Sequence, residues 1–191
     1  MRALRSSGFR RLIGVDPFRR ESEHFDGISL LKQSVFDVEG SFDLVMSHHS
    51  LEHTPDPLPV LSRLSSLAAP GGFVLLRIPI ANESWRTYGT NWVELDPPRH
   101  LCVPTLNGIE ELIRRVGGLE VTRVEFDADE FELAGSELYA RDIPLFPPEQ
   151  EGRSSVDLRF ERDERVRFQS RMRAMNEQRT SGRAAFFLRV S

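Results

Sequence analysis

The chain has 191 residues, with Lys+Arg 25 against Asp+Glu 29, a formal net charge of -4 and 39% hydrophobic residues, a composition that suits a globular domain able to bury a core. A single cysteine, Cys102, rules out an intramolecular disulfide framework and any multi-cysteine zinc site. No apolar run approaches the roughly 20 residues of a membrane span, the first residues lack a signal-peptide h-region, and the mildly acidic balance speaks against bulk nucleic-acid binding, so a cytoplasmic protein without membrane or nucleic-acid partners is expected.

Residues 1–7 read as the last turns of a helix closed by Gly8. Residues 11–15 form a short apolar run that stops at Asp16-Pro17, the pattern of a buried strand. Residues 28–31 and 42–46 are two further strands, the second introduced by Gly40-Ser41. From Pro55 to Ala69, leucines at 58, 61, 64 and 67 predict a helix, with Thr54 as its cap and Pro55 at its first position. Pro70-Gly71-Gly72 is expected to end it, and residues 73–80 form a continuous apolar strand broken only by Arg77 and Pro79.

Residues 81–104 hold both tryptophans and many turn formers, so an irregular, lid-like insert is expected. Thr105 caps a helix whose apolar face is Leu106, Ile109, Leu112, Ile113 and Val116, closed by Gly117-Gly118. Residues 119–126 read as a strand and 134–149 as a proline-rich loop. Residues 155–179 read as a charged helix with Phe168, Met172 and Met175 facing the sheet, and 184–190 as a final strand. Near-continuous apolar strands alternating with helices predict the α/β class, with a mostly parallel sheet covered on both faces and an antiparallel last strand. A single domain is expected over 1–191, carrying the 81–104 insert and a second, loop and helical, insert over 130–181.

Several pieces carry a family resemblance in order along the chain: Ile13-Gly-Val-Asp16, Phe42-Asp-Leu-Val45, Ser50-Leu-Glu-His-Thr-Pro-Asp-Pro57, Leu67-Ala-Ala-Pro-Gly-Gly72, Asp96-Pro-Pro-Arg-His-Leu101, Ser136-Glu-Leu-Tyr-Ala-Arg-Asp142 and Ala184-Ala-Phe-Phe-Leu188. Together they resemble the class I S-adenosylmethionine-dependent methyltransferases, particularly the bacterial branch acting on small molecules, lipids and glycans. The resemblance implies S-adenosylmethionine as cofactor, held by Asp16 and Pro17 at the ribose, Ser34 and Val35 at the adenine, and Ser47 and His48 at the methionine end. A carboxylate at a strand's carboxyl end accepting from ribose hydroxyls has independent physical sense, as does a turn aspartate before proline. The same resemblance places His53 and His100 near the reacting centre, as bases for an oxygen or nitrogen nucleophile, and Trp85, Trp92 and Arg99 near a small-molecule acceptor.

The family opens with a strand and a glycine-rich loop that this sequence does not contain. The strands of Val15 and Val45, which would flank that strand, are therefore expected to close up and pair in parallel. A homodimer through the remaining sheet edge is the alternative. Loss of the loop also removes part of the cofactor pocket, so a non-catalytic homologue acting as a binding or assembly module stands beside the enzyme reading. Independently, His49-Ser-Leu-Glu52-His53 matches an inverted zinc-peptidase motif. That chemistry needs a sustained helix, which Pro55 and Pro57 deny, so no metal site is expected.

Overall fold

The computed structural model describes residues 1–146, 156 and 159–191. The elements run α1 (Arg2–Ser6), β1 (Leu12–Val15), β2 (Glu23–Phe25), β3 (Ile28–Leu31), β4 (Phe42–His48), α2 (Pro57–Leu67), β5 (Ala68–Pro79), α3 (Glu83–Tyr88), α4 (Leu106–Val116), β6 (Leu119–Phe126), α5 (Glu130–Ala140), α6 (Arg162–Glu177) and β7 (Arg183–Val190). Single 3₁₀ turns lie at Val35–Asp37, Leu51–His53, Gly89–Asn91 and Val93–Leu95.

The strands form two sheets, ordered β1-β3-β2 and β4-β5-β7-β6. β1 pairs with β3 and β4 with β5 in parallel, whereas β7 runs antiparallel to both β5 and β6. β2, which the sequence did not suggest, is a short antiparallel edge on β3. The expected α/β arrangement with an antiparallel last strand is present. The expected direct pairing of the Val15 and Val45 strands is not: β1 and β4 lie in different sheets. The connection between them explains why. Val35 packs against the main core, and Arg63 of α2 donates to the carbonyls of Val35 (Nε, 3.4 Å) and Val38, which fixes the β1–β3 pair beside α2. At their amino ends the two sheets meet where the Arg11 guanidinium lies 5.2 Å from the centroid of the Phe42 ring.

The core is built on β5 and β7. Val74, Leu76 and Ile78 of β5 and Phe186 and Leu188 of β7 are buried with Leu61 and Leu64 of α2 and Ile109 and Ile113 of α4. Burying a side chain of this size is worth about 1.5–3 kcal/mol, so these two helices and two strands hold the frame. Gly72 lets β5 pass close to β4, since a Cβ there would lie 3.0 Å from the Asp43 carbonyl and 2.9 Å from that of Ala69.

Three boundaries and one packing contact differ from the sequence reading. α2 starts at Pro57 with Asp56 as its cap, the Asp56 carboxylate accepting from the Leu58 amide at 3.1 Å, while the Thr54 hydroxyl donates back to the Leu51 carbonyl. Pro70-Gly-Gly72 lies inside β5 and not after a helix. The loop expected over 134–149 is α5 as far as Ala140, capped by Asp129 and packed through Leu133 and Leu138; 141–146 carry no helix or strand, as expected, and 147–149 lie outside the described residues, as does part of the charged segment from 155. Met172 and Met175 of α6 pack against Leu133 and Ala128, not flat on the sheet. The 81–104 insert is a short helix with two 3₁₀ turns. Among the described residues no helix is long and apolar enough to cross a membrane.

Candidate active site at the carboxyl ends of β4 and β5

In a sheet of this kind, ligand chemistry collects where strands end in loops. β4 ends at His48, and His49 turns the chain with φ +46 into the 3₁₀ turn Leu51–His53. That turn carries Glu52 inward, fully buried, and leaves His53 exposed. The insert folds over the same place. The amides of Leu101 and Cys102 donate to the Glu52 carbonyl at 2.8 and 3.2 Å, and the His53 Nδ1 lies 2.9 Å from the Arg99 carbonyl. The His53 and His100 rings approach to 4.9 Å between centroids.

A line of charge runs across the floor. Arg77, at the end of β5, donates from Nη1 to His49 Nε2 at 2.7 Å and from Nε to Asp127 Oδ2 at 2.5 Å. Because a guanidinium only donates, His49 Nε2 must accept, and its Nδ1–H therefore donates to Glu52 Oε1 at 3.2 Å. Arg183 of β7 continues the line, bonding the Asp127 carbonyl (2.7 Å) and Asp129 (3.1 Å) and lying 3.7 Å from Glu94. Burial pushes the Glu94 carboxyl up to about 7 in spite of Arg183. Desolvation, and then the charge of Arg77, hold His48 below the ordinary histidine value.

A family model described as a methyltransferase domain matches residues 1–124. The chain belongs to the methyltransferase-domain family. No curated protein matches it in sequence. Among solved structures it is similar to a chain of the complex between the Haloferax volcanii Trm112 methyltransferase activator and the putative methyltransferase, at 18% identity and a TM-score of 0.61, covering 99% of this chain and 76% of that one. It is also similar to the cyclopropane synthase MmaA2 from Mycobacterium tuberculosis (16% identity, TM-score 0.52, 93% and 69% covered) and to the mycolic acid cyclopropane synthase CmaA1 complexed with SAH and CTAB (14%, 0.52, 93% and 69%). At these identities the likeness is one of fold.

Set on this methyltransferase fold, the residues singled out from the sequence fall into two groups. Ser47, His48, His53, Arg99 and His100 gather at the end of β4. The Ser47 hydroxyl is buried and 2.7 Å from that of Ser50; His48 is exposed; Arg99 is exposed and paired to Asp96 at 2.5 Å. Asp16, Pro17, Ser34 and Val35 belong to the first sheet and its exit. Asp16 and Pro17 are exposed, with Asp16 Oδ1 accepting from the Phe18 amide at 2.8 Å, and Ser34 caps the Val35–Asp37 turn. Trp85 is partly exposed, but Trp92 is 1% exposed and its indole N–H donates to Glu132 at 3.4 Å, so it packs inside the insert and does not wall an open pocket.

The sequence reading passed over Arg77, Asp127, Arg183 and Glu94. An arginine interrupting an otherwise apolar strand was the available signal for the first. Nothing local marks the others. An apolar hollow of about 280 Å³, lined by Leu51, Ile78, Cys102, Pro104, Ile109 and Leu112, adjoins the Glu52 turn. A second, of about 330 Å³, lies at the opposite end of the sheet by Gly71 and Arg189 and carries none of these groups.

Proposed function

We propose that this methyltransferase-domain chain transfers the methyl group of S-adenosylmethionine to a small-molecule, lipid or glycan acceptor in the cytoplasm. The observation that carries the reading is the convergence of Ser47, His48, His53 and His100 at the end of β4 in a chain of this family. The cofactor, when bound, supplies an electrophilic methyl on a sulfonium.

The residues present fit that role. Asp16 ends a strand with an exposed carboxylate, of which one oxygen takes the Phe18 amide, and it would accept from ribose hydroxyls. Pro17 would stiffen that turn, Ser34 and Val35 would border the adenine, and Ser47 and His48 would line the methionine end. His48, held below its ordinary value, stays neutral near pH 7 and adds no repulsion to a sulfonium. His53 and His100 each direct Nδ1 at a backbone carbonyl, 2.9 Å to Arg99 and 2.6 Å to Glu94. A carbonyl only accepts, so in the neutral rings Nδ1 carries the proton and Nε2 is basic, suited to taking the proton of an acceptor O–H or N–H. Alignment of nucleophile and methyl carbon would supply most of the rate. Arg99 and Trp85 would meet the acceptor from the insert, and the apolar hollow beside Leu51 favours an acceptor with a hydrocarbon portion.

A second reading, a non-catalytic binding module, is favoured by one observation: Asp16 and Ser34 are both engaged in local turns. Calorimetry with S-adenosylmethionine and S-adenosylhomocysteine separates the two. Saturable micromolar binding together with methyl transfer from labelled cofactor supports the enzyme. Absence of heat at millimolar ligand overturns it.

A further inference from the structure

We propose that Glu52, His53 and His100 form a binding site for a divalent transition-metal ion. One oxygen of Glu52 and one ring nitrogen of each histidine lie within 4.8 Å of one another, drawn from two segments 47 residues apart that the insert brings together. His49 does not belong to this set. Both of its ring nitrogens are occupied, by Arg77 and Glu52, and the His49-to-His53 segment is a bend followed by the 3₁₀ turn Leu51–His53, not the helix that the inverted zinc motif requires.

Three features of the surroundings point to a cation. Each histidine donates its Nδ1–H to a backbone carbonyl, which fixes the ring and leaves the Nε2 lone pair as the coordinating position. Hydrogen bonding of the remote ring nitrogen is the usual outer support of a metal-bound imidazole. Glu52 is fully buried, and while Oε1 takes the His49 proton, Oε2 has no hydrogen-bond partner. A buried carboxylate oxygen left without a donor is costly, and the nearest ring nitrogen of His100 stands 4.0 Å from the other oxygen of the same carboxylate. Arg77, through His49, holds the carboxylate in place.

Two imidazoles and a carboxylate are a borderline donor set, suited to Zn²⁺, Co²⁺ or Mn²⁺ more than to Mg²⁺, which prefers an oxygen shell. Tetrahedral ligands at such bond lengths stand about 3.4 Å apart, so the three side chains must draw together by about an ångström. Exposed His53 gives the ion a path from solvent and a position for an exchangeable ligand. With the ion in place the Nε2 lone pairs no longer take a proton; an acceptor oxygen bound to the metal would be acidified in their stead. The site itself does not rest on the methyl-transfer reading.

The test uses the full chain stripped with a chelator and titrated with Co²⁺. A visible d–d band saturating at one equivalent per chain, lost on adding Zn²⁺ and unmoved by a large excess of Mg²⁺, is expected. His53→Ala, which removes an exposed side chain and spares the fold, and His100→Ala should each weaken Co²⁺ binding at least tenfold. His24→Ala, in the other sheet, should leave it unchanged. Lack of a stoichiometric band, or His53→Ala and His100→Ala binding like the parent with unchanged thermal unfolding, overturns the site. His100 Nε2 also stands 4.0 Å from Glu52 and 3.9 Å from Asp96; a spectrum that stays featureless on adding Co²⁺ means that these carboxylates and not an ion are its partners, and the proposal fails. Cofactor calorimetry on the same stripped sample keeps the two readings apart: Co²⁺ without S-adenosylhomocysteine binding sinks only methyl transfer, and the reverse sinks only the metal.

Discussion

The Gly182 amide donates to Glu132 Oε1 at 2.9 Å, and a methyl group placed on Gly182 would stand 2.5 Å from that same oxygen and 2.6 Å from the Trp92 ring. Neither neighbour can retreat, because Trp92 and Glu132 are both 1% exposed. Gly182→Ala should therefore destabilise the chain by about 1–3 kcal/mol, as overpacked cores do. Urea unfolding measures it. An unchanged midpoint would mean that the insert is not seated on the start of β7 as described.

Glu132 itself gives a pH dependence with a definite sign. Burial raises its carboxyl above the ordinary glutamate value, against the hydrogen bonds it accepts. The folded chain thus keeps a proton that the unfolded chain releases first. The stability this contributes is complete below the unfolded value and is lost as pH rises through the raised one. Glu132→Gln keeps the shape and one acceptor oxygen, so its unfolding free energy should fall less than the parent's as pH rises above the ordinary glutamate range. Parallel slopes for the two proteins would contradict the assignment.

The Tyr88 hydroxyl donates to Glu137 at 3.0 Å, and burial followed by that bond pushes its ionisation up to about 12. Burial raises Tyr139, the second of the two tyrosines, as well. An ultraviolet titration of the folded chain should find both phenols ionising later than in urea. Tyr88→Phe should remove the later step.

Asp16 separates cofactor binding from folding. Its carboxylate is exposed and accepts from the Phe18 amide within the turn. Loss of one such hydrogen bond costs about 0.5–1.5 kcal/mol. On the methyl-transfer reading, Asp16→Ala should reduce S-adenosylhomocysteine affinity about tenfold, the worth of one good hydrogen bond to a charged group. Equal affinity for variant and parent would remove Asp16 from the cofactor site.

Where the sequence was readable, a local rule was strong enough to act alone. The Thr105 cap of α4 was visible at its start, and its hydroxyl accepts from the Gly108 amide at 3.1 Å. At α2 two local rules competed, Thr54-Pro55 against Asp56-Pro57. The residue before proline is pushed out of helical geometry, and Asp56 is accordingly extended (φ -132, ψ 106), so the helix had to begin after it. α5 was missed because Gly135 and Ser136 are weak helix formers. They are chosen for closeness: a Cβ on Gly135 would lie 2.9 Å from Val93, and Ser136 bonds the Val93 amide. The site was half legible for a similar reason. The family resemblance singled out Ser47, His48 and His53, whereas Arg77–Asp127 and Arg183–Glu94 join distant stretches that no spacing rule connects.

The two sheets share no backbone ladder and are joined through Arg11 on Phe42, Arg63 on the 35–38 carbonyls and Val35 against the main core. Side-chain bridges of this kind open more readily than a run of strand hydrogen bonds, so amides of β1 and β3 should exchange with solvent at a lower opening energy than those of β5 and β7. The half of the molecule carrying Asp16 would then behave as a leaf hinged on α2, free to loosen while the half carrying Glu52 and the histidines stays shut.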